Sequence, residues 1–420
     1  MEQKNVWETY STKQLKELEA LNEAYRGFLS ECKTERECVD YIVNMAEEAG
    51  YKELQDIIKK GGRLKKGDKV YSVWMNKSIA LYQLGEKPLT EGMNILGAHI
   101  DSPRMDVKQN PLYEDGGFAY LDTHYYGGIK KYQWVTLPLA LHGVIVKKDG
   151  TTVEVNVGEE DDDPVFFISD ILIHLAAEQM EKKAAKVIEG EALDLIVGSK
   201  PITIKPGEKE EKAKEAVKAG ILDILKKTYD VEEEDFLSAE LEVVPAGHAR
   251  EAGFDRSMIL AYGQDDRVCA FTSLKAMLDT KKTDRCMCCI LVDKEEIGSV
   301  GATGMQSRFF ENIIGRSEAF WVPIYGKVQE LFPKQLGDVT LEQFVRAVNK
   351  VQPSLIRTQA DELTYSLHIL IRYEIEKQLM EGTLKVKDLP EVWADKYEEY
   401  LGVRPANAAE GVLQDIHWSM

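Results

Sequence analysis

Two short apolar runs, each followed closely by charged residues, limit what this chain can fold into: Met93-Asn-Ile-Leu-Gly-Ala-His99 and Cys286-Met-Cys-Cys-Ile-Leu-Val292. Runs of this length bounded by charge or loops read as buried strands. Lys69–Trp74 and Ser78–Tyr82 have the same strand texture and follow a Gly61-Gly62 turn. Ahead of them, Leu15, Leu18, Leu21, Tyr25 and Leu29 recur at helical spacing, so residues 12–60 are expected to be helices. This alternation predicts an α/β fold with a central sheet flanked by helices.

Between about 105 and 240 the texture changes. Strands are expected at Trp134–Leu141 and Gly143–Val146, among turns, an acidic stretch at 159–163 and a Lys/Glu-rich segment at 206–218. Such charge runs read as solvated surface. The α/β pattern is expected to resume at Ala239–Val244 and to continue through a helix after Asp266 to Gly298. From about 311 the chain reads as helical, beginning with Phe309, Ile313, Phe320 and Tyr325; Leu363, Leu367, Leu370, Ile371 and Ile375 fall at helical spacing. The expected organisation is a catalytic α/β layer in two parts, 1–104 and 241–310. A β-rich insertion spans 105–240 and an all-helical segment spans 311–420.

The formal charge of −19 argues against a nucleic-acid or anionic-membrane partner, because too few Lys and Arg remain to neutralise phosphates. No stretch approaches the roughly 20 apolar residues of a membrane span, and Met1–Asn5 is polar rather than signal-like, so a cytoplasmic protein is expected. Six scattered cysteines do not make a disulfide framework. Cys286 and Cys289 have C-x-x-C spacing, but no second pair accompanies them, and the buried-strand reading is preferred.

The chemistry concentrates in three motifs. In Gly97-Ala-His99-Ile-Asp101-Ser-Pro103 the histidine ends an apolar strand, where ligands bind in open α/β sheets, and Asp101 is placed to orient its imidazole. In Gly263-Gln-Asp265-Asp266-Arg267, Asp266 suits a helix N-cap and Asp265 a metal ligand. In Asp293-Lys-Glu295-Glu296-Ile-Gly298-Ser, adjacent carboxylates on extended backbone would point opposite ways and divide their work, one binding a cation and the other taking a proton from metal-bound water. Three such motifs at successive strand ends point to a metal-assisted hydrolase.

GAHIDSP, GQDDRV and DKEEIGS resemble the aspartyl aminopeptidase family of metallopeptidases, over about residues 1–310 and including Tyr125-Tyr-Gly-Gly-Ile-Lys-Lys-Tyr-Gln-Trp134. The resemblance implies a zinc-exopeptidase fold, two Zn2+ per chain, peptide substrates trimmed from the N-terminus, and homo-oligomers assembled through the inserted domain. It further implies His99 and Glu296 as zinc ligands, Asp265 as the bridge, Glu295 as general base and Asp101 as the partner of His99. The family's downstream serine-aspartate motif and near-terminal histidine have no counterpart after Glu311. Instead Gln306–Asn312, Ile356-Arg-Thr-Gln-Ala-Asp361 and Gly411-Val-Leu-Gln-Asp-Ile-His-Trp418 resemble the thermostable, HExxH-containing carboxypeptidase family. No H-E-x-x-H occurs here. The chain reads as a join of two metallopeptidase families near Met305–Asn312, with an impaired fusion or a carboxypeptidase as alternatives. Asp361, His368, Asp415 and His417 are the tail residues available as substitute ligands.

Overall fold

The computed structural model describes residues 5–203, 214–301, 303–305, 315–357, 360–361 and 363–414. It divides into two units, Met1–Phe309 and Phe310–Met420. Of the expected join, Met305–Asn312, all but Met305 lies outside the described residues, as do Asp415 and His417.

The first unit opens with α1 (Thr12–Glu31) and α2 (Glu35–Glu48). Each starts on a reciprocal capping box, Ser11 with Gln14 and Thr34 with Glu37, which satisfies backbone donors that a helix start otherwise leaves unpaired. Among the described residues thirteen strands follow: β1 (Lys52–Glu53), β2 (Lys69–Trp74), β3 (Ser78–Gln83), β4 (Met93–His99), β5 (Arg104–Asp115), β6 (Phe118–Tyr126), β7 (Leu139–Val146), β8 (Thr152–Val157), β9 (Leu195–Gly198), β10 (Ala239–Pro245), β11 (Arg250–Ala252), β12 (Met258–Leu260) and β13 (Cys286–Val292). Among the longer helices between them are α3 (Ala216–Tyr229) and α4 (Gln264–Asp279).

The first sheet has the order β1-β2-β3-β13-β4. The cysteine-rich run is an interior strand, antiparallel to β3 and parallel to β4, and almost wholly buried. Its register sets Val292 beside His99, so the loops leaving β13 and β4 emerge together. One face packs against α1, α2 and α4 through Phe28, Leu29, Ile42, Phe271, Leu274 and Leu291.

The second sheet has the order β8-β7-β10-β5-β6-β9. Two expectations change here. Ala239–Val244 does not return to the first sheet but pairs antiparallel with β7 and β5; a strand buried on both faces along Leu241–Val244 carries no mark of which sheet will take it. The expected strand at Trp134–Leu141 begins only at Leu139 and runs on unbroken through Gly143. Thr136 adopts φ +63°, and Gly143 (φ +136°) passes so close to β10 that a Cβ there would lie 2.0 Å from the Glu240 carbonyl oxygen. Residues 206–213 of the Lys/Glu-rich segment lie outside the described residues; its end leads into α3.

Buried charge ties the two sheets together. Glu35 on α2 accepts from Lys77 at 2.7 Å and lies 3.3 Å from Arg104 on β5. Arg104 also meets Glu242 at 3.1 Å, while Glu240 pairs with both Lys77 and Arg36. The flanking cations hold the Glu35 carboxyl well below its usual range despite burial, whereas burial beside Glu35 drives Glu242 upward.

A second tie is His142 on β7, with Nδ1 2.7 Å from Glu37 and Nε2 3.0 Å from Glu159. Burial opposes its charge, but the hydrogen bonds to Glu159 and Glu37 win and raise its pKa to about 9. Glu37 and Glu159 are both lowered, burial being outweighed by His142. The imidazolium's contribution to stability is therefore complete below its ordinary value of 6.5 and lost as pH rises through about 9; the carboxylates' contribution is complete above 4.5 and lost on acidification. Stability from this triad should be greatest between those ordinary values. Urea titrations across pH should show the alkaline fall flattened by His142→Gln, and an unchanged fall would assign it to other groups.

The second unit is helical, as expected, and includes α5 (Tyr365–Met380) and α6 (Leu389–Leu401). Its core is formed by Ile371, Ile375, Trp393, Tyr397, Leu401 and Val412. Among the described residues, no helix is long and apolar enough to cross a membrane.

Candidate metal centre

His99 ends β4 and is nearly buried, with Nδ1 3.0 Å from the Asp101 carbonyl oxygen and 3.3 Å from its carboxylate. Nε2 is thereby left to face Asp265 at 3.5 Å and Glu295 at 3.7 Å. Ligand atoms of His99, Glu295 and Glu296 lie within 4.8 Å of one another.

Asp101 organises this geometry. It is fully buried, and its two oxygens accept the backbone N–H groups of Glu295 and Glu296, each at 3.2 Å. Those bonds wrap Glu295–Ile297 into a single 3-10 turn, entered through Lys294 at φ +69°. The two glutamates were expected on extended backbone, pointing apart. The turn instead brings both toward His99, because a distant carboxylate draws their amides to one point.

Asp265 arrives differently from the other residues. It follows β12, which belongs to a two-stranded hairpin rather than to the sheet that carries His99 and Glu295, so the three motifs do not stand at successive ends of one sheet. Asp265 and Asp266 carry non-helical torsions at the head of α4, the bond between them is cis, and no side-chain cap bond forms there. Ser102 donates to the Asp265 carbonyl oxygen at 3.0 Å, fixing this segment beside Asp101.

The electrostatics favour a cation. Burial lowers the His99 pKa, but the hydrogen bond and charge of Asp101 outweigh it and lift the value to about 9. Glu296 is raised by burial and by the neighbouring carboxylates, with His99 opposing. Asp101 itself is lowered, its burial offset by His99 and Tyr126. One imidazole nitrogen and several carboxylate oxygens are donors that zinc accepts. Without a metal, the positive charge among these carboxylates is a proton on His99.

Sequence reasoning assigned no role to Tyr126, whose hydroxyl donates to Asp101 at 2.7 Å while its ring lies 4.0 Å from the Arg104 guanidinium. It also missed the packing of Gly127 (φ +71°), where a Cβ would meet that of Glu296 at 3.1 Å. The Tyr125-Tyr-Gly-Gly run was the available signal, but only the β5–β6 register brings it to the site.

A second acidic group, Glu35, Glu240 and Glu242, also gathers within 4.8 Å. Lys77 and Arg104 already occupy it, so it is an ion-pair network. In the tail, Asp361 accepts the backbone N–H groups of Gln352, Leu363 and Thr364, and His368 is buried against the Tyr397 hydroxyl at 3.0 Å. Both side chains serve local structure within their own unit.

Residues 28–322 match the family of aminopeptidase I zinc metalloproteases, M18. The chain belongs to the M18 family. A probable M18 family aminopeptidase 1 from Clostridium acetobutylicum is 61% identical over 313 residues, covering 74% of this chain and 66% of the relative. The crystal structure of aminopeptidase I from that organism superposes with a TM-score of 0.68 at 58% identity, covering 75% of this chain and 68% of that one. The structure of the mApe1 dodecamer from S. cerevisiae shares 20% identity and a TM-score of 0.53 over 71% of this chain and 66% of that one, a likeness of fold alone. This chain spans about two thirds of the length of its curated M18 relatives.

Residues 292–420 match a second family, the carboxypeptidase Taq (M32) metallopeptidases. Carboxypeptidase 1 of Bacillus subtilis is 54% identical over 121 residues, which are 29% of this chain and 24% of that protein. The two family matches overlap across 292–322, so an M18 segment and an M32 segment meet there.

Proposed function

We propose that this chain is a metalloaminopeptidase that removes N-terminal residues from peptides at a zinc site built by its M18 segment. The observation that carries the reading is the convergence of His99, Glu295 and Glu296 within 4.8 Å, with Asp265 3.5 Å from the free imidazole nitrogen. In this reading His99, Asp265 and Glu296 would hold the zinc, Asp265 being the residue that two ions would share. Bound zinc would supply an activated water and polarise the scissile carbonyl. Glu295, half exposed and 3.7 Å from His99, would serve as the general base, holding a proton between the attacking water and the leaving amine. Asp101 keeps Nδ1 of His99 engaged, so that Nε2 is the ligating atom.

A second reading is an impaired fusion. It is favoured by the count of donors: a zinc ordinarily takes three or more protein ligands, and four described side chains serve the whole centre. Zinc per chain, measured together with hydrolysis of Asp- and Leu-p-nitroanilide, separates the two. Two zincs with turnover is the expected result; one zinc or none, without turnover, supports the impaired fusion and rejects the active enzyme.

Homo-oligomers are part of the proposal. Ile171, Leu172, Ile173, Leu175 and Met180, in the segment joining β8 to β9, are exposed apolar side chains of the kind that subunit contacts cover. A cytoplasmic location is inferred from six cysteines that form no disulfide, five of them buried.

A further inference from the structure

The strand that carries His99 is an edge. β4 pairs with β13 on one side and, among the described residues, with no strand on the other. Ile100 N–H donates to the Val292 carbonyl across the β13 side. By the two-residue period of a strand, the N–H and C=O groups of Met93, Ile95 and Gly97 therefore face the open side. An open row of this kind is a template for another strand.

The side chains point the same way. A strand parallel to its neighbour and apolar along its length is normally covered on both faces. β13 obeys this, with Cys288, Ile290 and Val292 buried beneath Ala80, Tyr82 and Met305. Ile95, in register with Cys288 on that same face, is 58% exposed, and Met93 is 40% exposed. None of the usual edge protections is present in Met93-Asn-Ile-Leu-Gly-Ala-His99: no lysine, no proline and no bulge. The sequence of β4 is that of an interior strand placed at a border.

The length of the relatives points to an occupant for that edge. The Clostridium acetobutylicum protein is matched over 66% of its length, and the M18 match in this chain stops at residue 322, where M32 sequence has already begun. We infer that the open edge of β4 is a docking site for the unmatched third of an M18 chain, supplied in trans, which adds a strand beside Met93–His99 and covers Ile95. The inference rests on family membership and strand topology and is independent of whether the chain turns over peptide. Backbone pairing would supply affinity, and apolar cover of Ile95 and Met93 would supply specificity.

The test is co-expression of the full 420-residue chain with the third of the Clostridium acetobutylicum relative that lies outside the match, one partner tagged. Expected is a one-to-one complex in which amide exchange at Met93, Ile95 and Gly97 slows by about tenfold or more. Ile95→Pro removes an N–H that faces the open side and leaves the β13 ladder intact, and Ile95→Lys keeps the backbone but charges the uncovered face. Both should abolish capture while far-ultraviolet circular dichroism and thermal unfolding stay close to those of the parent. Failure to capture the fragment overturns the inference, as does capture indifferent to both substitutions. Self-association of the chain alone that Ile95→Pro removes would assign the edge to a second copy and overturn it equally.

Discussion

Glu295→Gln is expected to reduce hydrolysis of an aminoacyl-p-nitroanilide by about 10²–10⁴-fold while zinc content stays at the parent level. The substitution removes a base and preserves shape. The backbone N–H of Glu295, not its side chain, bonds Asp101, so the turn that positions Glu296 should persist. Measuring kcat and bound zinc on the same preparation separates the roles. Lost zinc would make Glu295 a ligand, and an undiminished rate would remove it from the chemistry. Asp101→Ala should act differently, since it frees the His99 ring and both glutamate amides together; a loss of zinc affinity of about 10–100-fold is expected. Because His99 holds a proton up to about pH 9, zinc must displace that proton. Apparent zinc affinity should accordingly fall by about tenfold per unit as pH drops from 9 toward 7.

The largest expected effect on stability belongs to Glu35→Ala. The carboxylate is fully buried between Lys77 and Arg104, and its removal strands two cations in the interior. Loss of one partner from such a group costs about 3–5 kcal/mol, read as a lower urea midpoint at unchanged slope. Glu35→Ala with Lys77→Ala should recover part of that loss, because the two share one interaction. Full additivity of the two single effects would show that Glu35 and Lys77 are not coupled. The effect should also reach the metal centre: Asp293, just ahead of Glu295, is raised to about 6 by burial and by the Glu35 charge, and it accepts a hydrogen bond from Thr303.

Much of the first sheet was legible because its strands are short apolar runs with abrupt charged ends. Lys69–Trp74, Met93–His99 and Cys286–Val292 form where the pattern puts them, and the strand expected at Ser78–Tyr82 runs one residue further, to Gln83. β10 was not legible, since its burial on both faces fits either sheet. The separation of Glu295 from Glu296 was misread for a related reason. Alternation holds for extended backbone, and the bond pair from Asp101, 194 and 195 residues away, makes a turn instead. Ion pairs such as Arg104 with Glu35 and Glu242 leave no local trace, because each partner alone resembles an ordinary surface charge.

His99, the acidic motifs and the change of family near the end of the M18 match are properties of the sequence by itself, since residue type, spacing and run length carry them. Tertiary structure alone decided which nitrogen of His99 is free, that Glu295 and Glu296 turn toward it, that Tyr126 holds Asp101, and that β4 is left as an edge. Each of these depends on register between segments far apart in the chain, and register is set by packing and long-range hydrogen bonds that no local pattern encodes.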